Sequence, residues 1–268
     1  MDFVIWAGTD VGIRKKTNQD SISLSVAEAP GGRCCFAIVC DGMGGLSDGE
    51  VASGTVIREF RRWFEESFPI ILAEEENPEQ TVALEWDVLC SRLNSTIRAD
   101  GAARGIRLGT TVTALLLYNG RYIVLNVGDS RAYEITRDGI RQITEDQTFV
   151  NREIKEGRMT PEQALTDERR NVLLQCIGAS EAVYPDMYYG DIQPDSVYML
   201  CVDGFRHEIS PEELAYYFSP VLLTGREAMK TSCDYLINEN KRRMEQDNIT
   251  VGLVRIFNER PESRTEVI

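Results

Sequence analysis

The chain has 268 residues, of which 43% are hydrophobic, so it can bury one sizeable core and is neither a disordered protein nor a small disulfide-stabilised one. Its 43 acidic and 29 basic residues leave a net charge of −14, which argues against binding to DNA or RNA and favours cation binding. The seven cysteines are an odd number without C-x-x-C spacing, which predicts buried thiols in a reducing cytoplasm.

Targeting signals and zinc motifs are both missing from the sequence. The start lacks the pattern of a secretory signal, and no apolar run approaches the ~18 residues of a membrane span. We therefore predict a cytoplasmic protein without membrane contact. The single histidine, His207, excludes most multi-histidine zinc sites, so oxygen ligands would have to hold any metal.

Short apolar runs predict strands along most of the chain. Two gaps between them, Asn119-Gly120 and Asp138-Gly139, are typical of tight hairpin turns. Strands joined so tightly are antiparallel, which argues against a doubly wound parallel sheet. In chain order, the predicted strands are 3–7, 21–26, 36–40, 112–118, 122–127, 132–135, 197–202 and 249–257.

Helical periodicity predicts helices over 51–68, 83–99 and 227–244. Two further helices begin at Thr160 and Ser210, because each is followed by proline and then by the Gln or Glu of a capping box. Strands and helices occur in separate groups, so the predicted class is α+β. One domain is expected over 1–257, with polar, mobile segments at 77–79 and 258–268.

Four aspartates stand where an apolar strand meets a glycine or asparagine turn. A single Asp-Gly pair is an ordinary turn, but several carboxylates at one end of a sheet repel one another unless a hard cation neutralises them. Oxygen ligands of this kind suit Mg²⁺ or Mn²⁺. The four are Asp41 after FAIVC, Asp129 after LNVG, Asp203 after YMLCV, and Asp247 before ITVGLV.

In this order, the motifs resemble the PP2C-type (PPM) metal-dependent protein serine/threonine phosphatases, especially the compact bacterial members. The resemblance implies an α+β fold with a central antiparallel β-sandwich flanked by helices on both sides, in four αββα layers, with a metal cleft at one end. The matching segments are TDVGIRKKTNQDS (9–21), CDGMGGLSDGEVAS (40–53), LGTTVTALLL (108–117), LNVGDSRAY (125–133), ITEDQTFVNREIKEGRMTPEQA (143–164), RNVLLQCIG (170–178), CVDGF (201–205) and DNITV (247–251).

The resemblance also implies the chemistry: a water bridging two Mg²⁺ or Mn²⁺ ions attacks the phosphorus of phosphoserine or phosphothreonine directly. The segment 149–165 resembles the flap beside the cleft. The expected substrate is a phosphorylated protein, with an opposing serine/threonine kinase, and the expected state is a monomer. Catalytic roles fall to Asp41, Asp20 and Asp203, and metal-linked roles to Asp20, Asp41, the Gly42 carbonyl, Asp203, Asp247 and, for a weaker third ion, Asp129.

Several positions depart from the family pattern. Lys15 stands where members usually have the arginine that binds the phosphate, and a lysine offers a point charge instead of a planar fork. Phosphate binding is therefore expected of Lys15 or of Arg14 beside it. Met43 stands where eukaryotic relatives carry a proton-donating histidine, so the leaving group would take its proton from water. Gln147 and Val202 replace a histidine and a serine, and we assign both to tuning of the site.

Two alternatives remain open. A non-catalytic pseudophosphatase of the same fold could bind a phosphoprotein, which Lys15 favours and the complete aspartate set opposes. A metal-dependent hydrolase of small phosphoesters would share the cleft and differ in substrate. His207 is interpreted as a polar loop residue before the helix at Ser210, and not as a catalytic base.

Overall fold

Two five-stranded antiparallel sheets form the centre of the computed structural model, which describes residues 1–44 and 48–257. The first sheet has the order β1-β12-β11-β8-β9, the second has the order β10-β7-β6-β3-β2, and β4 pairs with β5 separately. The strands are β1 Asp2–Asp10, β2 Ser21–Ala29, β3 Gly32–Cys40, β4 Gly42–Gly44, β5 Leu108–Thr110, β6 Val112–Tyr118, β7 Arg121–Val127, β8 Arg131–Thr136, β9 Gly139–Gln142, β10 Asp186–Asp191, β11 Val197–Cys201 and β12 Ile249–Phe257.

All of the predicted strands are present, and the runs 112–118 and 249–257 match β6 and β12 residue for residue. The predicted hairpin between β6 and β7 turns at Asn119 and Gly120, which have φ of 47° and 77°, the positive values of a tight primed turn. Strand β10 was not predicted, because its sequence DMYYGD has no apolar alternation. It pairs with β7 at the edge of the second sheet.

Both faces of strand β3 are buried, which explains why its sequence is apolar from Cys34 to Cys40. Its odd-numbered residues from Cys35 to Val39 pack in the core shared with the first sheet. Its even-numbered residues, among them Phe36, pack under the helices on the other side. Successive side chains of a strand alternate between faces, so this strand is buried on both.

Helices cover both sheets, which confirms the αββα fold. Helices α1 and α3 pack over the second sheet through Phe60 and Trp86, whereas α8 packs on the first sheet through Met229 and Leu236. Within the described residues, none of the helices combines the length and the apolar character that a membrane crossing requires. The helices are α1 Gly49–Arg62, α2 Phe68–Glu74, α3 Pro78–Arg104, α4 Phe149–Lys155, α5 Pro161–Thr166, α6 Asp203–Arg206, α7 Pro211–Tyr217 and α8 Arg226–Arg242.

The predicted helix over 51–68 is interrupted near its end. A π-helical turn, Trp63–Ser67, joins α1 to α2, and the Phe68 N–H donates to the Trp63 carbonyl five residues earlier. Proline at position 69 has no N–H for a regular helical bond, and such breaks in the hydrogen-bond ladder accompany prolines.

The starts of three helices test predictions made from the sequence. Thr160 and Ser210 both form complete capping boxes, with Gln163 and Glu213 at the third helical position, so these two predictions are confirmed. The prediction that 77–79 is a mobile segment is wrong, because α3 begins at Pro78. Proline at the first helical position is itself a start signal, which the polar composition concealed.

The predicted tail over 258–268 lies outside the described residues, and the single domain over 1–257 stays a prediction.

We expect at most one of the seven cysteines to react with a thiol reagent at pH 8 in the folded protein. All seven are free, and only Cys176 is partly exposed. Burial raises the pKa of Cys201 to about 12 and also raises that of Cys176, so the reactive thiolate is scarce. Titration with Ellman's reagent before and after denaturation counts the reactive thiols in the folded and in the unfolded protein. Cys176→Ser should remove the reaction of the folded protein. Rapid modification of several thiols without unfolding would contradict this burial.

Candidate functional site

The predicted aspartates lie at one end of the sandwich. In the second sheet, Ser21 pairs with Cys40, so Asp20 and Asp41 occupy neighbouring strand ends. In the first sheet, Cys201 pairs with both Arg131 and Val251, which brings the turns before β8 and β12 next to the end of β11. These turns and strand ends carry Asp129, Asp203 and Asp247.

The carboxylates repel one another. Loss of hydration raises the pKa of Asp41 well above its usual value, and the charges of Asp203, Asp20, Asp129 and Asp247 raise it further. Loss of hydration also raises the pKa of Asp20 to about 7, against the opposing hydrogen bond from Thr250. Such a cluster stabilises a cation, because a cation relieves both the repulsion and the lost hydration.

Backbone and hydroxyl contacts fix Asp41 and Gly42. The Asp41 N–H donates to Thr111 Oγ1 at 2.9 Å, and the Thr111 N–H donates to the Asp41 carbonyl at 2.9 Å. A Cβ at position 42 would meet the Gly49 carbonyl oxygen at 2.3 Å and the Gln19 carbonyl oxygen at 2.4 Å. Only glycine permits this approach, so the Gly42 carbonyl has a defined position beside Asp41.

Asn248 ties the loop after β1 to the start of β12. Its Nδ2 donates to the Val11 and Thr17 carbonyls at 2.9 and 3.1 Å, and its Oδ1 accepts from the Gln19 N–H at 2.9 Å. Beside it, Thr250 Oγ1 donates to Asp20 Oδ2 at 2.6 Å. The sequence analysis assigned no role to Asn248 or Thr250, although both belong to the DNITV motif.

The two cationic side chains predicted to bind phosphate behave differently. Lys15 Nζ lies 2.7 Å from Asp247 Oδ1. Partial burial lowers the pKa of Lys15, but the contact with Asp247 and the charges of Asp41 and Asp203 outweigh it and raise the pKa above its usual value. Arg14 instead donates to Gln246 Oε1 at 2.8 Å on the exposed rim. Lys15 therefore faces the carboxylates.

One observation argues against a metal site at these carboxylates, and another argues for it. Within the described residues, no group of three or more His, Cys, Asp or Glu side chains is arranged so as to hold a metal ion. The donor chemistry nevertheless suits a hard cation, because Asp203 Oδ1 is buried and lacks a hydrogen-bond partner within the described part of the chain. Binding of an ion would require side-chain rotation and release of Asp247 by Lys15.

His207 lies closer to the carboxylates than the sequence indicated. It caps the C-terminus of α6, with Nε2 3.6 Å from Asp203 Oδ2 and Nδ1 3.5 Å from Glu245 Oε2. Burial lowers the pKa of His207, but Glu245 and Asp203 raise it overall. His207 lies in the loop before the helix that starts after Ser210, as interpreted, and it stands between two acids at the edge of the cleft.

A buried polar network surrounds Asp129. Arg206 Nη2 donates to the Asp129 carbonyl at 3.0 Å and lies 3.9 Å from Asp129 Oδ2. Asp146 pairs with Arg131 through two contacts of 2.6 and 2.7 Å. Burial raises the pKa of Asp129 to about 7, and the charge of Arg206 opposes this shift. The sequence analysis missed Arg206 as a site residue.

Gln147 comes shortly before the predicted flap in the chain. Gln147 Oε1 accepts from the Gly128 N–H at 2.8 Å, and its Nε2 donates to Asp186 Oδ2 at 2.8 Å. The segment 149–165 follows directly and forms α4, the connecting turn and most of α5. By accepting from the Gly128 N–H, Gln147 holds the turn that carries Asp129 in place.

A cavity of about 210 Å³ lies far from these carboxylates. It is lined by Phe68 and Val82 on the helices and by Tyr118 and Arg121 on the β6–β7 hairpin. This hairpin is at the end of the sheet opposite Asp41, so the cavity is separate from the candidate site.

Comparison with known proteins gives a consistent result. A family model described as "Protein phosphatase 2C" matches residues 7–231. The serine/threonine phosphatase stp of Listeria innocua is 29% identical over 221 residues, which are 82% of this chain and 83% of the relative. A solved S. agalactiae serine/threonine phosphatase has a TM-score of 0.79 and 27% identity, covering 95% of this chain and 100% of its own.

A third comparison concerns metal. The catalytic domain of the serine threonine protein phosphatase PstP, solved in complex with 2 manganese ions, has a TM-score of 0.73 and 28% identity over 96% of this chain and 100% of its own. The fold and the matched family model together define the class. The chain belongs to the protein phosphatase 2C family, which confirms the resemblance seen in its motifs.

In the absence of metal, we expect the protein to become less stable as the pH rises. The pKa values of Asp20 and Asp129 are raised from 3.8 to about 7 on folding. Between about pH 4 and pH 7 the folded protein holds protons that the unfolded chain has released, so the free energy of unfolding falls as the pH rises. Thermal unfolding in EDTA at several pH values measures this slope.

Two controls accompany that measurement. Asp20→Asn should flatten the slope, because it removes one of the buried carboxyl groups whose pKa folding raises. Saturating Mn²⁺ should raise the melting temperature most at pH 8, where the carboxylates are charged. A melting temperature in EDTA that stays constant or rises between pH 5 and pH 8 would contradict the prediction.

Proposed function

We propose that the protein hydrolyses phosphoserine and phosphothreonine in proteins by direct attack of water on phosphorus, without a phospho-enzyme. The observation that carries this proposal is the convergence of Asp20, Asp41, Asp203 and Asp247 at one end of the sandwich, where their charges act on one another. Two Mg²⁺ or Mn²⁺ ions, when bound, would lower the pKa of water and stabilise the charge on the phosphoryl oxygens.

The chain's own groups would have distinct roles. Asp41, fixed by its contacts with Thr111, would serve both ions. The Gly42 carbonyl would contact one of them, and Asp203 and Asp247 would hold the other. The buried and unpartnered Asp203 Oδ1 is a free acceptor for such an ion. Asp20, oriented by the hydroxyl of Thr250, would accept hydrogen bonds from water in the same site.

Lys15 would bind the phosphate. Its ammonium group reaches Asp247 from the loop after β1, and a cation bound at Asp247 would leave it directed at an incoming phosphoryl group. Arg14 is held by Gln246 at the rim and would contribute less. Without a histidine at Met43, the leaving oxygen would take its proton from water.

We expect Lys15→Ala to raise KM about tenfold and to change kcat less, because a point charge on the phosphate acts in the ground state as well as in the transition state. Arg14→Ala is the matched control and should change KM less than threefold. Steady-state kinetics with a phosphothreonine peptide measure both. A larger effect for Arg14→Ala would assign the phosphate to Arg14.

The remaining proposals concern the cellular setting. The substrate would be a phosphorylated protein in the cytoplasm, an opposing serine/threonine kinase would be the partner, and the chain would act as a monomer. The curated and solved relatives that the chain resembles are named as phosphatases, which supports the enzyme over the pseudophosphatase alternative.

The experiment that tests the function compares hydrolysis of p-nitrophenyl phosphate, a phosphothreonine peptide and a phosphotyrosine peptide with Mn²⁺, Mg²⁺ or EDTA. Metal-dependent turnover of the phosphothreonine peptide is expected. Preference for the small phosphoester over the peptide would point to a small-molecule hydrolase. Absence of turnover with either metal in a folded protein would overturn the proposal.

A further inference from the structure

We propose that Arg206 takes the place of a third metal ion beside Asp129, so that the cleft holds two ions and Asp129 is not a metal ligand in this chain. The inference rests on the proposed function, which requires the two-ion site. It departs from the sequence prediction, in which Asp129 held a third ion.

The position of the guanidinium group is the first observation. Arg206 is the last residue of α6, the short helix that begins at Asp203. Its Nη2 lies 3.0 Å from the Asp129 carbonyl oxygen, 3.9 Å from Asp129 Oδ2 and 3.5 Å from Asp146 Oδ2. The side chains of Arg206 and Asp129 are only 12% and 11% exposed. The chain itself therefore supplies the positive charge beside this carboxylate.

The surroundings of Arg206 keep it in place. Asp146, its second acidic neighbour, is fixed by the two contacts with Arg131. The preceding residue, Phe205, is fully buried, and its carbonyl accepts from Asn240 Nδ2 at 2.9 Å. These contacts fix the backbone of α6 beside Arg206 and one of the two acids that its guanidinium group faces.

Lys15 is much more exposed to solvent than Arg206. It also pairs with a predicted metal-linked aspartate, Asp247, but its side chain is 41% exposed and extends from a loop. Rotation into solvent would release Asp247 to an ion at little cost. The Arg206 side chain is 12% exposed against 41% for Lys15, so an ion should displace Lys15 from Asp247 more readily than it displaces Arg206 from Asp129.

Electrostatics then disfavour a third ion. A divalent cation on the Asp129 carboxylate would lie close to the guanidinium charge in a buried region, where like charges repel strongly.

Counting bound Mn²⁺ tests the inference without relying on activity. The measurement is equilibrium dialysis at millimolar Mn²⁺ followed by metal analysis, with circular dichroism as the check on folding. The native chain and Asp129→Asn should both bind two ions. Arg206→Gln should bind three, whereas Arg206→Lys, which keeps the charge, should bind two. Adding Asp129→Asn to Arg206→Gln should return the count to two.

The outcomes separate the inference from the proposed function. A native count of three that falls to two in Asp129→Asn would overturn the inference and leave the proposed function intact. A count of two in folded Arg206→Gln would also overturn it. A native count of zero or one would overturn the two-ion function and this inference with it. If Arg206→Gln does not fold, the comparison of the native chain with Asp129→Asn decides alone.

Discussion

Replacement of Asp41 by asparagine is expected to lower kcat by at least about 10³-fold if Asp41 has the proposed role, because a neutral amide cannot supply the charge proposed to hold both ions. Asp41 is the group whose pKa is raised by all four of the other clustered aspartates, so it stands at the centre of the negative charge. The measurement is metal-dependent hydrolysis of a phosphothreonine peptide by Asp41→Asn at saturating Mn²⁺.

The same variant should not be unstable. Since burial and repulsion raise the pKa of Asp41, a neutral asparagine removes an unfavourable charge, and the metal-free melting temperature should stay equal or rise at pH 8. Lost activity together with preserved stability separates catalysis from folding. The matched control is Asp138→Asn, an exposed aspartate in the β8–β9 turn, which should keep full activity. Retention of more than about a tenth of the activity by Asp41→Asn would contradict the proposed role.

Replacement of Phe36 by alanine is expected to lower the free energy of unfolding by about 3–5 kcal/mol. Phe36 is fully buried in β3, and its ring centroid lies 5.2 Å from that of Phe64 and 6.0 Å from that of Trp86. Alanine would leave a cavity between the second sheet and the helices, which these aromatic rings cannot fill without leaving their own contacts.

Urea unfolding followed by circular dichroism measures this loss. Leu84→Ala is the control, because Leu84 lies on the solvent side of α3 with 61% of its surface exposed and should change the free energy by less than about 0.5 kcal/mol. A loss below about 1 kcal/mol for Phe36→Ala would show that the aromatic cluster rearranges to fill the space.

Much of the fold could be predicted because its signals are local. The apolar run of β3, the Asn119-Gly120 turn and the capping boxes at Thr160 and Ser210 each lie within a few residues. Strand β10 could not be predicted, since its place depends on pairing with the distant β7 and not on its own composition. The π-helical turn at Trp63 was also missed, although proline at position 69 is a local signal of a break in the helix.

The candidate site divides in the same way. Asp41 and Asp203 follow apolar strands directly, so the sequence alone marks them, whereas the roles assigned to them stay predictions. The contacts of Arg206 with Asp129 and Asp146 join three separate segments, and no spacing in the sequence indicates that they meet. Side chains that support a site from distant segments are therefore the part that a single sequence hides.

The position of β12 in the first sheet bears on how the protein is made. This strand, the last one of the described chain, lies between β1 and β11, and it carries Asn248 and Thr250 at or beside its start. During synthesis from the N-terminus, β1 and the loop that bears Lys15 therefore have no partner in this sheet until β12 has emerged. The cleft lacks Asp247, Asn248 and Thr250 until the start of β12 has been made, so a nascent chain that has not reached β12 would have no complete site.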